Sequence, residues 1–391
     1  MRPEALHLTP DTVGSVGRGH PWVYAEGLAR GQARPPAGTP LRLLDPQGRH
    51  VAFGLADDGE IAVRVLSRHP IDVGQHIAQA TRQAAELRAW VLPPETDAYR
   101  LVNGEGDGLP GLVVDRYAGL AVVRIYGSCW EPYVERIAAD VAAAAQVETV
   151  IRRLGVRRVD GGEGITLLHG PAAPDSLVVR EAGLRFVVRP ALGQKTGLFL
   201  DQRENRRTVA RLARDREVVD VFSCTGGFAV HAAAGGARRV TVVDAAPGAI
   251  DDARENLRLN GFDLDRHAFV VADAFAWQPD AAVDLLVCDP PNLSHGRDAD
   301  RAAWKGYRDL AARYGAFVRP GGILASASCT ARLSWERWEQ ALREGLRKAG
   351  RFAFLHRAGE PADHPVLVEH PEGRYLKFAL LLRRGDAART G

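Results

Sequence analysis

At 391 residues, 46% hydrophobic and 25% charged, the chain is long enough for two or three domains, each with its own core. No stretch approaches the roughly 20 apolar residues of a membrane span, and MRPEALHLTPDTVG lacks the apolar region of a signal peptide. The four cysteines (Cys129, Cys224, Cys288 and Cys329) form no CxxC pair, which argues against disulfides or a bound metal and for a reducing cytoplasm; a net charge of +3 is too small to argue for an anionic partner.

Residues 1–70 alternate short β-rich pieces with turns, and TPLRLLDPQGRHVAFGLAD reads as a hairpin around DPQG. HIAQATRQAAELRAWV then places Ile77, Ala80, Ala84 and Leu87 at helical spacing, and VLPPETD stops the helix. LVNGEGDGLPGLVVDRYAGLAVVRIYG reads as two strand-like runs, WEPYVERIAADVAAAAQ as a helix, and VETVIRRLGVRRVDGGEG as strand and loop. Residues 71–190 therefore form an α+β unit without a catalytic cluster. From 191 to 391 strands and helices alternate: REVVDVF, RRVTVVDA, AFVVADA, VDLLVCD, GGILASAS and KFALLLRR are strands. Helices follow the first, second, fourth and fifth of these strands, with none read between AFVVADA and VDLLVCD, and the alternation predicts a doubly wound parallel α/β sheet.

Ligands of such sheets sit beyond the carboxyl ends of the strands. The first strand ends in Asp220-Val-Phe222-Ser-Cys-Thr225-Gly226-Gly227, whose glycines allow close backbone approach at a helix N-terminus. The second ends at Asp244, the third at Asp273-Ala274, and the fourth at Asp289-Pro290-Pro291-Asn292. One such aspartate is ordinarily a helix cap or turn residue; four successive acidic or glycine-rich strand ends are harder to read that way. The GxGxxG of a dinucleotide site is absent. A nucleoside without phosphates, its ribose on Asp244 and its adenine amine on Asp273, fits S-adenosylmethionine.

Asp-Pro-Pro followed by an aromatic is a pattern for methylating exocyclic amines, but here the fourth residue is Asn292 and the stacking ring is missing. Cys329, at the end of GGILASAS, opens another chemistry. A thiolate adding to carbon 6 of a pyrimidine makes carbon 5 nucleophilic towards a methyl sulfonium, and loss of the carbon-5 proton then expels the cysteine. A helix N-terminus capped by Ser334 would favour the thiolate. The plain alternative for Cys329 is a small buried hydrophobe, which is the reading for Cys129 and Cys288; Cys224 packs in or lines the cofactor loop.

RGHPWVYAEG (18–27), YRLVNGEGDGLPGLVVDRY (99–117), GQKTGLFLDQRENR (193–206), DVFSCTGGFAVHAA, DPPN, GYRDL (306–310), PGGILASASC and ADHPVLVEHPEGRYLKFALL (362–381) occur in that order. In this the chain resembles, over nearly its whole length, the bacterial large-ribosomal-subunit cytosine-5 methyltransferases that fuse a PUA domain to a class I, Rossmann-like methyltransferase. The resemblance implies three domains: a PUA-like RNA-binding domain (1–70), a central α+β domain (71–190) and the methyltransferase domain (191–391). It implies S-adenosylmethionine held by Asp220, Phe222, Thr225, Gly226, Gly227, Asp244, Ala245, Asp273, Ala274 and Asp289, with Gln202 and Arg203 near it. It also implies Cys329 as nucleophile, Asp289 with Pro290, Pro291 and Asn292 at the base, and Arg18, His20 and Trp22 as RNA contacts. Asn292 departs from the lysine often found after DPP, and Cys224 stands where an aromatic is common. RNA, 23S rRNA in particular, is the expected partner, with no DNA and no membrane; a homodimer is left open. The basic runs 151–158 and 203–216 are either phosphate contacts or solvated faces. Amino methylation through the DPPN turn, and a non-catalytic rRNA-binding assembly factor, are the alternatives.

Overall fold

The computed structural model describes residues 4–155, 159, 162–190, 198–294 and 298–385. The chain divides into two compact units. The first comprises Met1–Ala182, Arg189–Leu192 and Ala362–Gly373; the second comprises Gly183–Val188, Gly193–Pro361 and Arg374–Gly391.

The first unit opens with β1 (Glu4–His7), α1 (Pro10–Arg18), β2 (Trp22–Tyr24), β3 (Pro40–Leu44), β4 (His50–Ala56) and β5 (Ile61–Ser67), which form a five-stranded sheet in the order β1-β3-β4-β5-β2. The expected hairpin is β3 and β4, paired antiparallel. Asp45 makes its turn: Oδ1 accepts from the backbone N–H of Gln47 and of Arg49, so the DPQG loop needs no partner elsewhere. Helix α2 (Val73–Val91) starts where Asp72 accepts from Gln75 N–H. It packs with α3 (Val134–Ala145) on a second sheet of β6 (Ala98–Asn103), β7 (Leu112–Tyr117), β8 (Leu120–Ile125), β9 (Thr149–Arg153) and β10 (Ile165–His169). β11 (Leu177–Glu181) follows. The stretch 98–125 holds three strands rather than two: Gly108 and Gly111, both at positive φ, break the first apolar run into β6 and β7, and the AG turn at Ala118-Gly119 reverses the chain again.

The second unit contains β12 (Leu184–Val188), α4 (Arg203–Ala210), β13 (Glu217–Val221), α5 (Gly227–Ala234), β14 (Arg239–Asp244), α6 (Pro247–Leu259), β15 (Ala268–Val271), β16 (Val283–Cys288), α7 (Ala299–Gly315), β17 (Val318–Ser328), α8 (Trp335–Leu346), β18 (Phe352–Ala358) and β19 (Lys377–Arg383). Seven of these strands form one sheet in the order β15-β14-β13-β16-β17-β19-β18. The first five are parallel, as the alternation predicts. The last two depart from it: β19 runs antiparallel to both β17 and β18. β18 itself leaves little trace in the sequence. It is an edge strand, half-exposed along its length, so FAFLHRA needs no two-faced apolar pattern. The core lies between this sheet and its helices, with Trp338, Tyr307 and Tyr314 among its largest side chains.

No helix among the described residues is long and apolar enough to cross a membrane. Among them too, no group of three or more His, Cys, Asp or Glu side chains is placed to hold a metal ion.

Candidate active site

Strand order reverses between β13 and β16: from β13 the chain winds out through β14 to β15, then returns to β16 and on to β17. In an open α/β sheet the crevice at that switch point, beyond the carboxyl ends, is where ligands bind. At this end of the sheet stand the 220–227 loop, Asp244 and Asp273 after β13–β15, and Asp289–Asn292 and Cys329 after β16 and β17.

The loop after β13 is bent by three residues in the left-handed region, Phe222 (φ 58°), Cys224 (φ 51°) and Gly226 (φ 78°). Two of these are not glycine, a cost borne because the surroundings fix the loop. Asp220, 1% exposed, does part of this: its Oδ2 accepts from Ser223 Oγ and from Ala229 N–H. Burial pushes its carboxyl up to about 7, against those two hydrogen bonds, with Asp244 adding to the rise. Asp244 holds the other side, with Oδ2 accepting from Cys224 N–H at 2.8 Å and Oδ1 from Ala246 N–H at 3.0 Å. Asn256 on α6, fully buried, donates to the Thr225 carbonyl at 2.8 Å and accepts from Val187 N–H at 2.7 Å. Phe222 meets Phe275 edge to face, with centroids 4.9 Å apart. Asp273 is exposed and accepts from Phe275 N–H, while Tyr314 holds the Ala274 carbonyl from below.

On the other side, Asp289 Oδ2 accepts from Gln202 Nε2 at 3.0 Å, and Asn205 Nδ2 donates to Gln202 Oε1 at 2.6 Å. Pro290 is buried and Pro291 exposed. Asn292 Oδ1 accepts from Ser294 N–H at 2.9 Å and from Thr330 Oγ1 at 3.2 Å. Thr330 Oγ1 also meets the Tyr307 hydroxyl at 3.1 Å. The turn that carries Cys329, half-buried, is thus tied to the Asp-Pro-Pro-Asn turn of the neighbouring strand. Just beyond, Ser334 caps α8 by accepting from Arg337 N–H. The remaining thiols are held protonated by burial: Cys224 is pushed up to about 11, Cys288 further, and Cys129 well above the ordinary thiol value.

The profile of the S-adenosylmethionine-dependent methyltransferase family matches residues 127–382, and that of PUA-like domains matches residues 6–68. The chain belongs to the S-adenosylmethionine-dependent methyltransferase family. It is 38% identical over 383 residues to a ribosomal RNA large subunit methyltransferase of Deinococcus radiodurans, covering 93% of each chain. To the ribosomal RNA large subunit methyltransferase I of Cronobacter sakazakii it is 33% identical over 378 residues, covering 93% of this chain and 95% of the relative. A SAM-dependent methyltransferase from Streptococcus mutans shares the fold, with a TM-score of 0.84 at 21% identity over 97% of this chain and 99% of that one. A methyltransferase solved in complex with SAH superposes with a TM-score of 0.85, again at 21% identity and over 97% and 99% of the two chains.

The cofactor of this methyltransferase is S-adenosylmethionine. The donor set fits it: of the four strand-end aspartates, Asp220 is buried within the loop, while Asp244, Asp273 and Asp289 are at least partly exposed carboxylates, which favour a ligand bearing a sulfonium and an ammonium over a diphosphate. Of the residues singled out in the sequence, the second unit brings these four, the 222–227 loop, Ala245, Ala274, Gln202, Asn292 and Cys329 to the carboxyl end of one sheet. Arg203 is buried beside Gln202 and pairs with Glu204. Arg18, His20 and Trp22 lie in the first unit. Arg18 is exposed at the end of α1, whereas Trp22 is half-buried, its indole N–H donating to Glu105 at 2.8 Å and its ring 4.3 Å from that of His370. Residues 156–158 of one basic run, and 193–197 of the segment leading into the methyltransferase domain, lie outside the described residues. Sequence reasoning missed Asn256, Phe275 and Lys377. Asn256 reads in the sequence as one more polar residue of DDARENLRL although it lies on the buried face of α6, and only Lys377, a lysine opening an apolar strand in a chain with four lysines, carried a signal.

Proposed function

We propose that the methyltransferase forms 5-methylcytosine in large-subunit ribosomal RNA, 23S in bacteria, with Cys329 as nucleophile. Its work is then cytoplasmic, and it is organised as domains 1–70, 71–190 and 191–391. The reading is carried by one observation: the Thr330–Asn292 hydrogen bond ties the Cys329 turn to the Asp-Pro-Pro-Asn turn, on the substrate side of the switch point. The names of the relatives supply the RNA class.

Asp244 and Asp273 would hold the cofactor's ribose and adenine, with Phe222 and Phe275 against the ring. When bound, S-adenosylmethionine supplies a methyl group on a sulfonium. Asp289, fixed by Gln202, positions the cytosine and holds a proton near ring nitrogen 3. The Cys329 thiolate adds to carbon 6, forming a C–S bond and pushing the C5–C6 π electrons into the ring, so that carbon 5 becomes nucleophilic. Once carbon 5 carries the methyl, its proton leaves to a base and the returning electrons break the C–S bond. The free thiolate and the aromatic ring are both restored. Asn292, its carboxamide oxygen engaged by Ser294 and Thr330, shapes the turn and offers no ring for stacking, which sets this reading apart from amino methylation.

The test is nucleoside mass analysis of large-subunit rRNA from cells with and without the protein. Loss of one 5-methylcytidine supports the reading. Loss of an N-methylated base instead, or no change, overturns it.

A further inference from the structure

Lys377 opens β19 and pairs across the sheet with Ser328, the residue before Cys329. It is 3% exposed. Its ammonium donates to the Thr330 carbonyl at 2.9 Å and to the Tyr375 carbonyl at 3.2 Å, so it sits beneath the turn that carries the sulfur. An ammonium has three N–H donors, and two are used. Among the described residues, no carboxylate lies within ion-pairing distance of it. A lysine buried so deeply, without a counter-ion in contact, needs a reason to be there.

We propose that Lys377 is a positioning residue that holds Cys329 as the thiolate. The inference rests on the reading of Cys329 as nucleophile and supplies its activating group. The thiol proton goes to solvent, Lys377 keeps its own, and the anion is left on the residue next to Thr330, whose carbonyl the ammonium holds. Burial lowers the proton affinity of Lys377, while Glu360 and the sulfur of Cys329 both raise it. Such coupling is reciprocal: if a charged Cys329 holds the proton on Lys377, the charged Lys377 drives the proton off Cys329. The other titratable groups near the turn do not compete for this role. Burial keeps the Tyr307 phenol protonated, and its hydroxyl holds Thr330. Glu360 is occupied by the backbone N–H groups of Tyr375 and Leu376. Asp289 is held by Gln202, and the buried Asp201 accepts from the Tyr375 hydroxyl.

The experiment is alkylation of the full-length protein by iodoacetamide as a function of pH, with the Cys329 peptide followed by mass spectrometry so that the other three cysteines do not enter. In the wild-type protein the midpoint is expected below the ordinary cysteine value of about 8.5. Lys377→Gln keeps a donor for the carbonyls and removes the charge, and is expected to raise the midpoint by about one unit. Alkylation at pH 7 then slows about threefold, since a tenfold smaller thiolate fraction is partly offset by a more nucleophilic sulfur. Methyl transfer by this variant is expected to recover at high pH, which a purely structural role for Lys377 does not predict. A wild-type midpoint at or above 8.5 overturns the proposal whether or not the variant folds, and so does an unchanged midpoint in a folded variant. Cys329→Ala that still methylates rRNA defeats the nucleophile reading separately, because the alkylation midpoint reports on the thiol alone.

Discussion

Asp220 sits fully buried at the end of a central strand, and its two hydrogen bonds do not offset the loss of water. Its carboxyl is raised to about 7 in the fold, from about 4 in an unfolded chain. The folded state therefore holds this proton over a range where the unfolded state has released it. Stability from this group is full below about pH 4, falls as pH rises to about 7 by up to ~1.4 kcal/mol per unit, and is flat above. Urea unfolding of cofactor-free wild type and Asp220→Asn from pH 4 to 8 checks this: the difference between the two curves is expected to shift in favour of the variant across that window. The acidic strand ends were legible in the sequence because a strand's carboxyl end is marked by its apolar run. Asn256 and Lys377 were not, because the carbonyls they hold, of Thr225 and of Thr330, are brought to them only through sheet order and helix packing.

The α5 entry shows how an element is fixed by one position. Gly226 caps α5 at φ 78°, and a Cβ there would stand 2.8 Å from the Ala253 Cβ on α6. Gly226→Ala combines left-handed strain with a backbone-level clash and is expected to cost about 1–3 kcal/mol of stability. It is also expected to weaken cofactor affinity more than tenfold, because the loop that must move is the one against the ligand; calorimetric titration with S-adenosylmethionine checks it. The strands and helices that build this crevice were readable from their periodicity and spacing. The reversed direction of β19 was not, since an apolar strand reads alike in either direction and its neighbour β18 is a half-exposed edge.

Across the whole molecule, the chain weaves between its two units rather than completing one before the next. Arg88 of α2, with no exposed surface, forms a bidentate pair with Asp107 and donates to the carbonyl of Asp363, in the segment Ala362–Gly373 that returns to the first unit. Asp363 also accepts from Arg100 N–H, and Asn103 donates to the Pro365 carbonyl. Asp107→Ala leaves a buried guanidinium without its carboxylate and is expected to destabilise by about 3–5 kcal/mol, read as a drop in the denaturant midpoint. The order of eight quoted segments made the family legible. The return of ADHPVLVEHPEG to the first unit was not, because no local pattern records which surface a loop will cover.

In the proposed reaction the sulfur at the end of β17 forms a bond to the base. Cys329→Ala is the direct measurement, with cofactor binding followed by calorimetry and methyl transfer to large-subunit rRNA followed with labelled S-adenosylmethionine. Cofactor affinity is expected within about twofold of wild type and methyl transfer reduced by at least ~100-fold. Methyl transfer at a near-wild-type rate, with cofactor affinity intact, would contradict it.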